Sequence, residues 1–417
     1  MKTTMTKIRY AVLVTLGLVA SGAVQAQGVT LYGLVFQFAE NTRTSGATSP
    51  APPAGERPSM RNAYTGVNDP QRNRISAGTS NLGVRGSEDI GAGQKVIFQL
   101  ESGFSVDGSP GPGWAGRNSN VGLQGGWGTL SLGQWDTPYK TVGLPVNPIR
   151  VGYQADYTPV MGNPGFGVPA TTTQNTRAGA APDAAFDRRN GNVVQYWSPV
   201  VAGFSGRIQY SADEGRTAAS ATAPGIAPVI WSGNVQYDWG TLSIRYAYEQ
   251  HEDYFGMSVL GGGAGATLTN TGSKDQGNKL VGIWRIGSFR LAGIYEELKY
   301  HNDDSVAGNV NDYKRKAYYA LGEYYFGQAS FWVAYGKAED GSCSRVGGAS
   351  CTTADLGADY YSAGLVYNFS KRTQVIATYY KVDNKKSGTY TVQPPVGGPV
   401  AAGADTLSFG VGIAHFF

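Results

Sequence analysis

The chain has 417 residues, among which charged residues make up 15%, while Gly occurs 60 times and Tyr 26 times. The formal net charge is +4, but three of the 34 basic residues lie in the first 26 positions, which leaves 31 basic against 30 acidic residues in the remainder. Such a balance excludes an overall basic field that would recruit nucleic acid. Many glycines and tyrosines with few charges favour short strands and turns, with aromatic residues available for membrane interfaces.

Residues 1–26 have the pattern of an export signal. Three basic residues within the first nine positions precede a short apolar run, and small residues then fit cleavage after Ala26. The alternative is one transmembrane helix, for which the apolar run is short. We expect residues 27–417 to form one domain. Since no other segment is a continuous apolar stretch of about 18 residues, any further membrane span must be made of β-strands.

Sixteen strand-like segments follow, most of them near the length of about 9–11 residues that a tilted strand needs to cross a bilayer. In the ninth, Ile244 and Tyr246 lie on an apolar face and Arg245 lies on the opposite face. The segments are 28–40, 71–87, 94–106, 115–124, 127–137, 190–198, 203–213, 229–239, 241–250, 277–287, 289–301, 312–326, 329–339, 356–369, 371–384 and 403–417.

The connections between these segments are of two kinds that alternate along the chain. The short ones include 88–93, 125–128, 238–240, 286–288, 326–328 and 368–372, and the long ones are 41–70, 107–114, 138–189, 214–228, 251–276, 302–311, 340–355 and 385–402. Tight turns at one end and long loops at the other are typical of a membrane barrel whose turns face the periplasm. The prediction is an all-β fold, a transmembrane antiparallel up-and-down β-barrel of 16 strands.

The last segment ends at the aromatic residue Phe417. Bulky residues such as Phe409 and Ile413 alternate there with small ones such as Gly410 and Gly412, so the strand has one bulky and one lean face. An aromatic residue that closes such a strand is typical of outer-membrane barrels. We therefore interpret Phe417 as the C-terminal signal for the barrel assembly machinery.

The connection 138–189 is too long to be a simple turn. It contains seven prolines, and Tyr139, Tyr153, Tyr157 and Phe166 favour packing against another surface. A loop of this length inside a compact domain is expected to be functional or disordered. As the third long loop, it is placed to fold inward and narrow the lumen of the barrel.

Cys343 and Cys351 are the two cysteines of the chain. In an oxidising compartment a disulfide between them is the favoured reading, with two free thiols or a metal pair as alternatives. The histidines His251, His301 and His415 are widely spaced, and we interpret them as surface residues. We therefore expect no catalytic residues, no metal and no cofactor.

Seven short pieces of sequence, in this order and spacing, carry a resemblance to a known family. Two of them are Tyr196-Trp197-Ser198-Pro199 and the terminal His415-Phe416-Phe417, and the others are 29–33, 80–91, 98–104, 128–134 and 367–373. With them, essentially all of the chain after residue 26 resembles the trimeric general porins of Gram-negative bacteria, of the sixteen-stranded type. The resemblance implies a homotrimer in the outer membrane, in contact with membrane lipid and lipopolysaccharide, whose third loop forms a constriction opposite a basic wall.

The resemblance also implies which residues line that constriction. Arg189 and Arg117 match basic positions of the family, although strand alternation requires a loop position or a bulge at Arg117. Asn81 stands where related sequences carry an arginine, and Arg85 or Arg74 is the expected substitute. On the opposing, acidic side we expect Glu101, Asp136 and Asp156.

The predicted function is passive diffusion of small hydrophilic solutes and ions through a water-filled pore, with a weak preference for anions. A substrate-specific channel, an outer-membrane enzyme and a surface adhesin are the alternatives. We interpret a set of aromatic residues as a membrane girdle in preference to a sugar-binding ladder. They are Tyr196, Trp197, Trp231, Tyr237, Trp239, Tyr246, Tyr248, Trp332, Tyr335, Tyr379 and Tyr380.

Overall fold

The structure is a computed structural model. It describes residues 28–48, 68–76, 78–107, 113–149, 156–165, 184–212, 216, 218–220, 225–254, 272–303, 307–391 and 400–417. The predicted export signal and the aromatic residues Tyr153 and Phe166 lie outside this part of the chain. Among the described residues, no helix has the length and apolar character needed to cross a membrane.

The described chain forms one antiparallel sheet that closes on itself. Its strand segments are β1 (Thr30–Ser45), β2 (Arg72–Ser76), β3 (Asn81–Gly91), β4 (Gln94–Gly103), β5 (Ser119–Gly125), β6 (Gly128–Asp136), β7 (Arg189–Trp197), β8 (Phe204–Ala212), β9 (Val229–Trp239), β10 (Leu242–Glu252), β11 (Lys274–Ile286), β12 (Phe289–His301), β13 (Val310–Phe326), β14 (Ala329–Ala338), β15 (Ser342–Arg345), β16 (Ala358–Asn368), β17 (Thr373–Asn384) and β18 (Asp405–Phe416). Segments pair in chain order except that β2 and β3 both pair with β1 and that β15 pairs with β13 while β14 pairs with β16. The sheet closes because β18 pairs with β1 from Leu34↔Phe416 to Ser45↔Asp405. Closure leaves the sheet without a free edge.

These segments make a barrel of sixteen strands, as predicted. The count differs from the number of segments because β2 and β3 lie end to end along β1 as one interrupted strand, and because β15 is a short addition within the loop between β14 and β16. At the interruption, the hydroxyl of Ser80 replaces a strand partner: it accepts from the Phe36 amide at 2.9 Å and donates to the Phe36 carbonyl at 3.0 Å. Gly78 is required beside it, since a Cβ there would overlap the Phe36 ring.

The faces of the barrel are inverted relative to those of a soluble protein. On β10, Ile244 and Tyr246 are exposed on the outer face, while Ser243 and Ala247 are buried on the inner face. The outer face is therefore apolar, as contact with lipid requires. Short turns join the strands at one end and long connections join them at the other, so the predicted alternation is confirmed.

Three members of the predicted girdle point into the barrel. Trp332 and Tyr380 are buried on inner faces, and Trp197 shares the inner face of β7 with Gln195. Their assignment to the membrane interface is wrong because strand alternation places them opposite exposed neighbours such as Phe331 and Tyr379.

Candidate functional site

The connection between β6 and β7 enters the barrel with a single turn of helix, α1 (Pro138–Gly143). Thr137 caps α1 by accepting from the Lys140 amide at 3.2 Å, and proline occupies the first helical position. The inner face of β9 holds this turn, since the Asn234 side chain donates to the Pro138 carbonyl at 2.9 Å and the Tyr139 amide donates to the Ser232 hydroxyl at 3.0 Å. The loop is thus fixed to the inner wall from its first residues.

Glu296, on the inner face of β12, is the main attachment point of the loop. Its carboxylate accepts from the Gly162 amide at 2.8 Å and from the Tyr139 hydroxyl at 2.9 Å. Arg315 lies 3.2 Å and Lys279 3.5 Å from the same carboxylate. All of these side chains are buried, so each charge depends on the others for the solvation that water no longer supplies.

Further charges continue this attachment. The Lys279 ammonium lies 2.6 Å from Asp187 and 4.1 Å from the centre of the Tyr139 ring. Arg290 donates to the loop carbonyls of Pro145 at 2.6 Å and Asn147 at 3.1 Å while pairing with a carboxylate on β13. We call these inward-facing charges the docking wall; its residues are Lys279, Arg290, Glu296, Arg315 and Glu323.

Close packing completes the contact between loop and wall. The Phe186 ring stacks on His251 at 4.4 Å, and a Cβ at Gly277 would lie 2.7 Å from Phe186. The expectation that all three histidines are surface residues is therefore wrong for His251, which is buried behind the loop. Burial raises the pKa of Asp187 to about 6, although the neighbouring Lys279 opposes the shift.

The opposite side of the lumen faces water and brings Arg117 and Arg85 together. Arg117 precedes β5, outside the strand, and its Nε donates to Glu101 at 2.5 Å. The second Glu101 oxygen accepts from the Tyr32 hydroxyl at 3.0 Å, and the Arg85 guanidinium lies 5.1 Å from the centre of the Tyr32 ring. The loop position expected for Arg117 thus lets its side chain join the inward-facing residues.

Arg189 lies at the root of the loop in a second charged group. Its guanidinium is 3.2 Å from Asp136, which also accepts from the Lys140 ammonium at 2.9 Å. Asn118 holds both partners: its side-chain oxygen accepts from Arg189 at 2.7 Å and its amide donates to Asp136 at 2.9 Å. The cluster of Arg117 and Glu101 is adjacent to that of Arg189 and Asp136, because Arg117 and Asn118 are consecutive residues.

The predicted opposition of an acidic and a basic side needs correction. Glu101 and Asp136 lie on the same wall as the arginines and pair with them, because β4 and β6 carry them beside Arg117 and Arg189. Asp156 lies in the loop but is buried, and its carboxylate accepts from the Thr158 amide and hydroxyl. Burial raises the pKa of Asp156, against the effect of these hydrogen bonds.

Arg74 is also placed differently from the prediction. Its Nε lies 2.5 Å from the buried carboxylate of Glu40, so β1 neutralises it away from the other arginines. Arg85 is therefore the better substitute for the arginine that is absent at Asn81.

Sequence reasoning missed three further arginines on the inner wall: Arg207, Arg245 and Arg285, on β8, β10 and β11. Each arginine lies on the inner face of its strand. Strand alternation is the signal that could have found them, since it already places Arg245 opposite the apolar face of its segment. With Arg85, Glu101, Arg117, Asp136 and Arg189 they form what we call the open wall.

A disulfide joins Cys343 and Cys351 in the loop that contains β15. Within the described ranges, the structure contains no group of three or more His, Cys, Asp or Glu side chains arranged to hold a metal ion.

Comparison with known proteins agrees with this architecture. A profile of the family described as Gram-negative porin matches residues 11–387. Outer membrane porin protein 32 of Delftia acidovorans is 28% identical over 405 residues, which cover 96% of this chain and 97% of that protein.

Two solved structures have the same fold. The anion-selective porin from Comamonas acidovorans superposes with a TM-score of 0.69 at 23% identity, covering 94% of this chain and 99% of that one. The trimer form of OmpT from Vibrio cholerae superposes with a TM-score of 0.56 at 15% identity, covering 94% of this chain and 99% of that one.

Proposed function

The chain belongs to the Gram-negative porin family, and on that premise we propose that its outer-membrane barrel passes small hydrophilic solutes and ions by diffusion with a preference for anions. The constriction lies between the docked loop and the open wall. Passage through the pore needs no covalent step, because a solute moves down its own concentration gradient and is selected by the aperture and by the charges that line it.

The excess of cations on the open wall carries the proposed anion preference. Within the described residues, Glu101 and Asp136 partly neutralise Arg117, Arg189 and Lys140. Arg85 keeps a stacking contact in place of a carboxylate partner. The other basic members of the wall are Arg207, Arg245 and Arg285, and Asp238 approaches Arg245 only to 3.9 Å. Charges that project into a narrow aqueous passage with low-dielectric walls raise the local concentration of the opposite ion.

Single-channel recording in a planar bilayer tests this proposal. We expect stepwise conductance in potassium chloride and a reversal potential, under a salt gradient, of the sign set by chloride. A reversal potential of the opposite sign would overturn the anion preference while leaving the channel. A folded, inserted protein without conductance would overturn the open pore itself.

We further propose that three copies associate through the outer face of β4–β7, as the trimer form of the Vibrio cholerae protein suggests by analogy. This face exposes aliphatic side chains, and in the described part of the chain the first exposed tyrosine is Tyr246. Exposed tyrosines that mark a lipid interface recur on β10–β17. The aliphatic residues are Leu100, Val121, Leu123, Leu130, Leu132 and Val194.

A pair of double variants tests the trimer face. Leu123→Ala with Leu132→Ala removes packing that a neighbouring copy supplies, so the trimer should dissociate at a lower temperature on semi-native gels. Leu291→Ala with Phe331→Ala is the matched control on the tyrosine-bearing face, where lipid fills the space and the trimer should persist. Equal behaviour of the two variants would contradict the assignment.

The remaining proposals concern export and surroundings. Residues 1–26 fit a cleaved export signal, and Phe417 closes the barrel by exchanging two backbone hydrogen bonds of 3.1 Å with Gly33, a position that suits recognition by the barrel assembly machinery. At the long-loop end, Lys299 and Lys314 lie opposite each other on the outer face, which suits contact with lipopolysaccharide phosphates.

A further inference from the structure

A recess of about 400 Å³ opens in the inner wall on the short-turn side of the docked loop. It lies at the short-turn ends of β5–β9. Asn234, which forms part of its lining, also donates to the Pro138 carbonyl of the loop. A solute that enters from the long-loop end and passes the constriction therefore reaches this recess next. Its volume is within the range that accommodates a small organic molecule.

Two tryptophans run from the constriction to the recess. Trp135 directly precedes Asp136, and its ring packs edge to face on Trp197 with 5.2 Å between ring centres. Trp197 lines the recess, and its indole N–H donates to Gln195 at 3.2 Å. Both rings are half-buried, so each keeps part of its surface open to the lumen.

Arg207 lies over the Trp197 ring of this aromatic pair. Its guanidinium carbon is 4.6 Å from the centre of the Trp197 ring, and Arg207 lines the recess beside Gln236. Within the described residues, the structure gives Arg207 this stacking contact and no ion pair. Stacking orients a guanidinium plane while leaving its N–H groups directed outward, ready for a carboxylate.

A second arginine stands next to the first. Arg245 pairs across strands with Gln236, donates to Ser243 at 3.0 Å, and lies 3.9 Å from the half-exposed Asp238. Arg207 lines the recess and Arg245 lies across from Gln236, which also lines it, so two guanidinium groups lie in this region with little compensation from acids. Like charges held together without a counter-ion are unfavourable, so the recess suits an anion.

We propose that the recess binds planar aromatic carboxylates, with the ring of the solute on Trp197 and Arg207 and its carboxylate on Arg207 and Arg245. The proposal rests on the proposed function, since a solute reaches the recess only through an open pore. It assigns to this porin a saturable site for one class of anion, beyond general diffusion.

Aromatic carboxylates fit these residues better than sugars or simple anions do. A chloride ion would use the arginines but gain nothing from the tryptophans. A sugar would use the ring faces and Gln236 but leave two guanidinium charges unpaired. A planar carboxylate uses both, because ring stacking and paired N–H donors act on different parts of one solute.

The test compares the conductance of the wild-type channel in potassium benzoate and in potassium cyclohexanecarboxylate, which has the same charge and similar size but is not planar. We expect conductance to saturate with benzoate, at a concentration about threefold or more below that for cyclohexanecarboxylate. Equal curves for the two anions, or conductance that rises linearly with benzoate, would overturn the proposal. Conductance in potassium chloride is recorded first, since its absence would instead contradict the open pore.

Variants locate the site. Trp197→Leu should remove the difference between the two anions, and Arg207→Gln should weaken binding of both. The matched controls are Trp239→Leu, at an exposed outer position, and Arg43→Gln, on the outer face of β1. Both controls should keep the benzoate preference. If Trp197→Leu fails to fold, Arg207→Gln still decides through the benzoate concentration at which conductance saturates, which should rise. A benzoate preference retained by Trp197→Leu, or an unchanged saturation concentration in Arg207→Gln, would contradict the assignment.

Discussion

The docking wall and the open wall use the same residue types for different ends. On the docking wall, Lys279, Arg290 and Arg315 are buried and each lies against a carboxylate or a loop carbonyl. On the open wall, Arg85 and Arg245 keep contact with the lumen and lack a close acidic partner in the described part of the chain. Charged side chains that are paired with protein groups hold the loop in place, whereas charged side chains that remain in contact with water act on solutes.

This contrast shows how a functional charge in a barrel can be recognised. An inward position is shared by both walls and does not discriminate between them. Burial and pairing separate Lys279, Arg290 and Arg315 from Arg85 and Arg245, since a buried pair broken on one side leaves an unsolvated charge, while an exposed arginine loses only a weak, screened interaction. Arg189 is intermediate, because it belongs to the open wall but is buried and paired with Asp136. Substitutions on the two walls test this difference, and their expected effects on the channel decrease in the order given.

The largest effect is expected from Glu296→Ala. The substitution leaves Lys279 and Arg315 without their shared carboxylate, and loss of one member of a buried pair costs about 3–5 kcal/mol. We expect the loop to detach, giving a larger and noisier single-channel current. Glu297→Ala is the matched control, because Glu297 is the next residue, points outward and pairs with Lys299. If the Glu296→Ala channel has the same conductance and current noise as the wild-type channel, the role of the docking wall is contradicted.

A moderate effect is expected from Arg189→Gln. The change leaves Asp136 with Lys140 and lowers the positive charge beside the constriction. Arg189 is buried, so it acts on an ion at a distance, and at an effective dielectric constant of about 20 a charge about 15 Å away is worth on the order of 1 kcal/mol. The ratio of anion to cation permeability, taken from the reversal potential, should fall about fivefold. An Arg43→Gln channel provides the reference, and a ratio equal to that reference would remove Arg189 from the selective set.

Glu101→Gln should act in the opposite direction and more weakly. The side chain keeps its size but no longer neutralises Arg117, so the permeability ratio should rise toward anions by about twofold, because a partly exposed pair is screened by water. The double variant with Arg117→Gln should return the ratio toward the wild-type value. A fall in the ratio for Glu101→Gln would place this pair outside the ion path.

The smallest effect on the channel is expected from Cys343→Ser with Cys351→Ser. The disulfide closes a loop outside the barrel strands, so its loss should loosen that loop while conductance and selectivity stay unchanged. Limited proteolysis should show a new cleavage between residues 340 and 357, absent from the wild-type protein under oxidising conditions. A change in reversal potential would mean that the loop reaches the ion path.

The barrel is predictable from the amino-acid sequence alone. Alternating side chains, strands of bilayer length and two classes of connection follow from local chain geometry, so the sixteen strands were predictable without knowledge of distant contacts. The break at Ser80 is not predictable in this way, because it depends on a contact between two strands, in which the Ser80 hydroxyl replaces the backbone partner of Phe36.

The constriction was predictable as a loop but not as a surface. Alternation indicates that Glu296 and Arg245 face inward, yet it does not indicate that the loop covers one and leaves the other in water. That outcome depends on contacts between residues far apart in sequence, such as Gly162 with Glu296, whose free energy exists only once the barrel has closed around the loop. The sequence therefore determined which charges enter the lumen, and the folded loop decided which of them remain available to a solute.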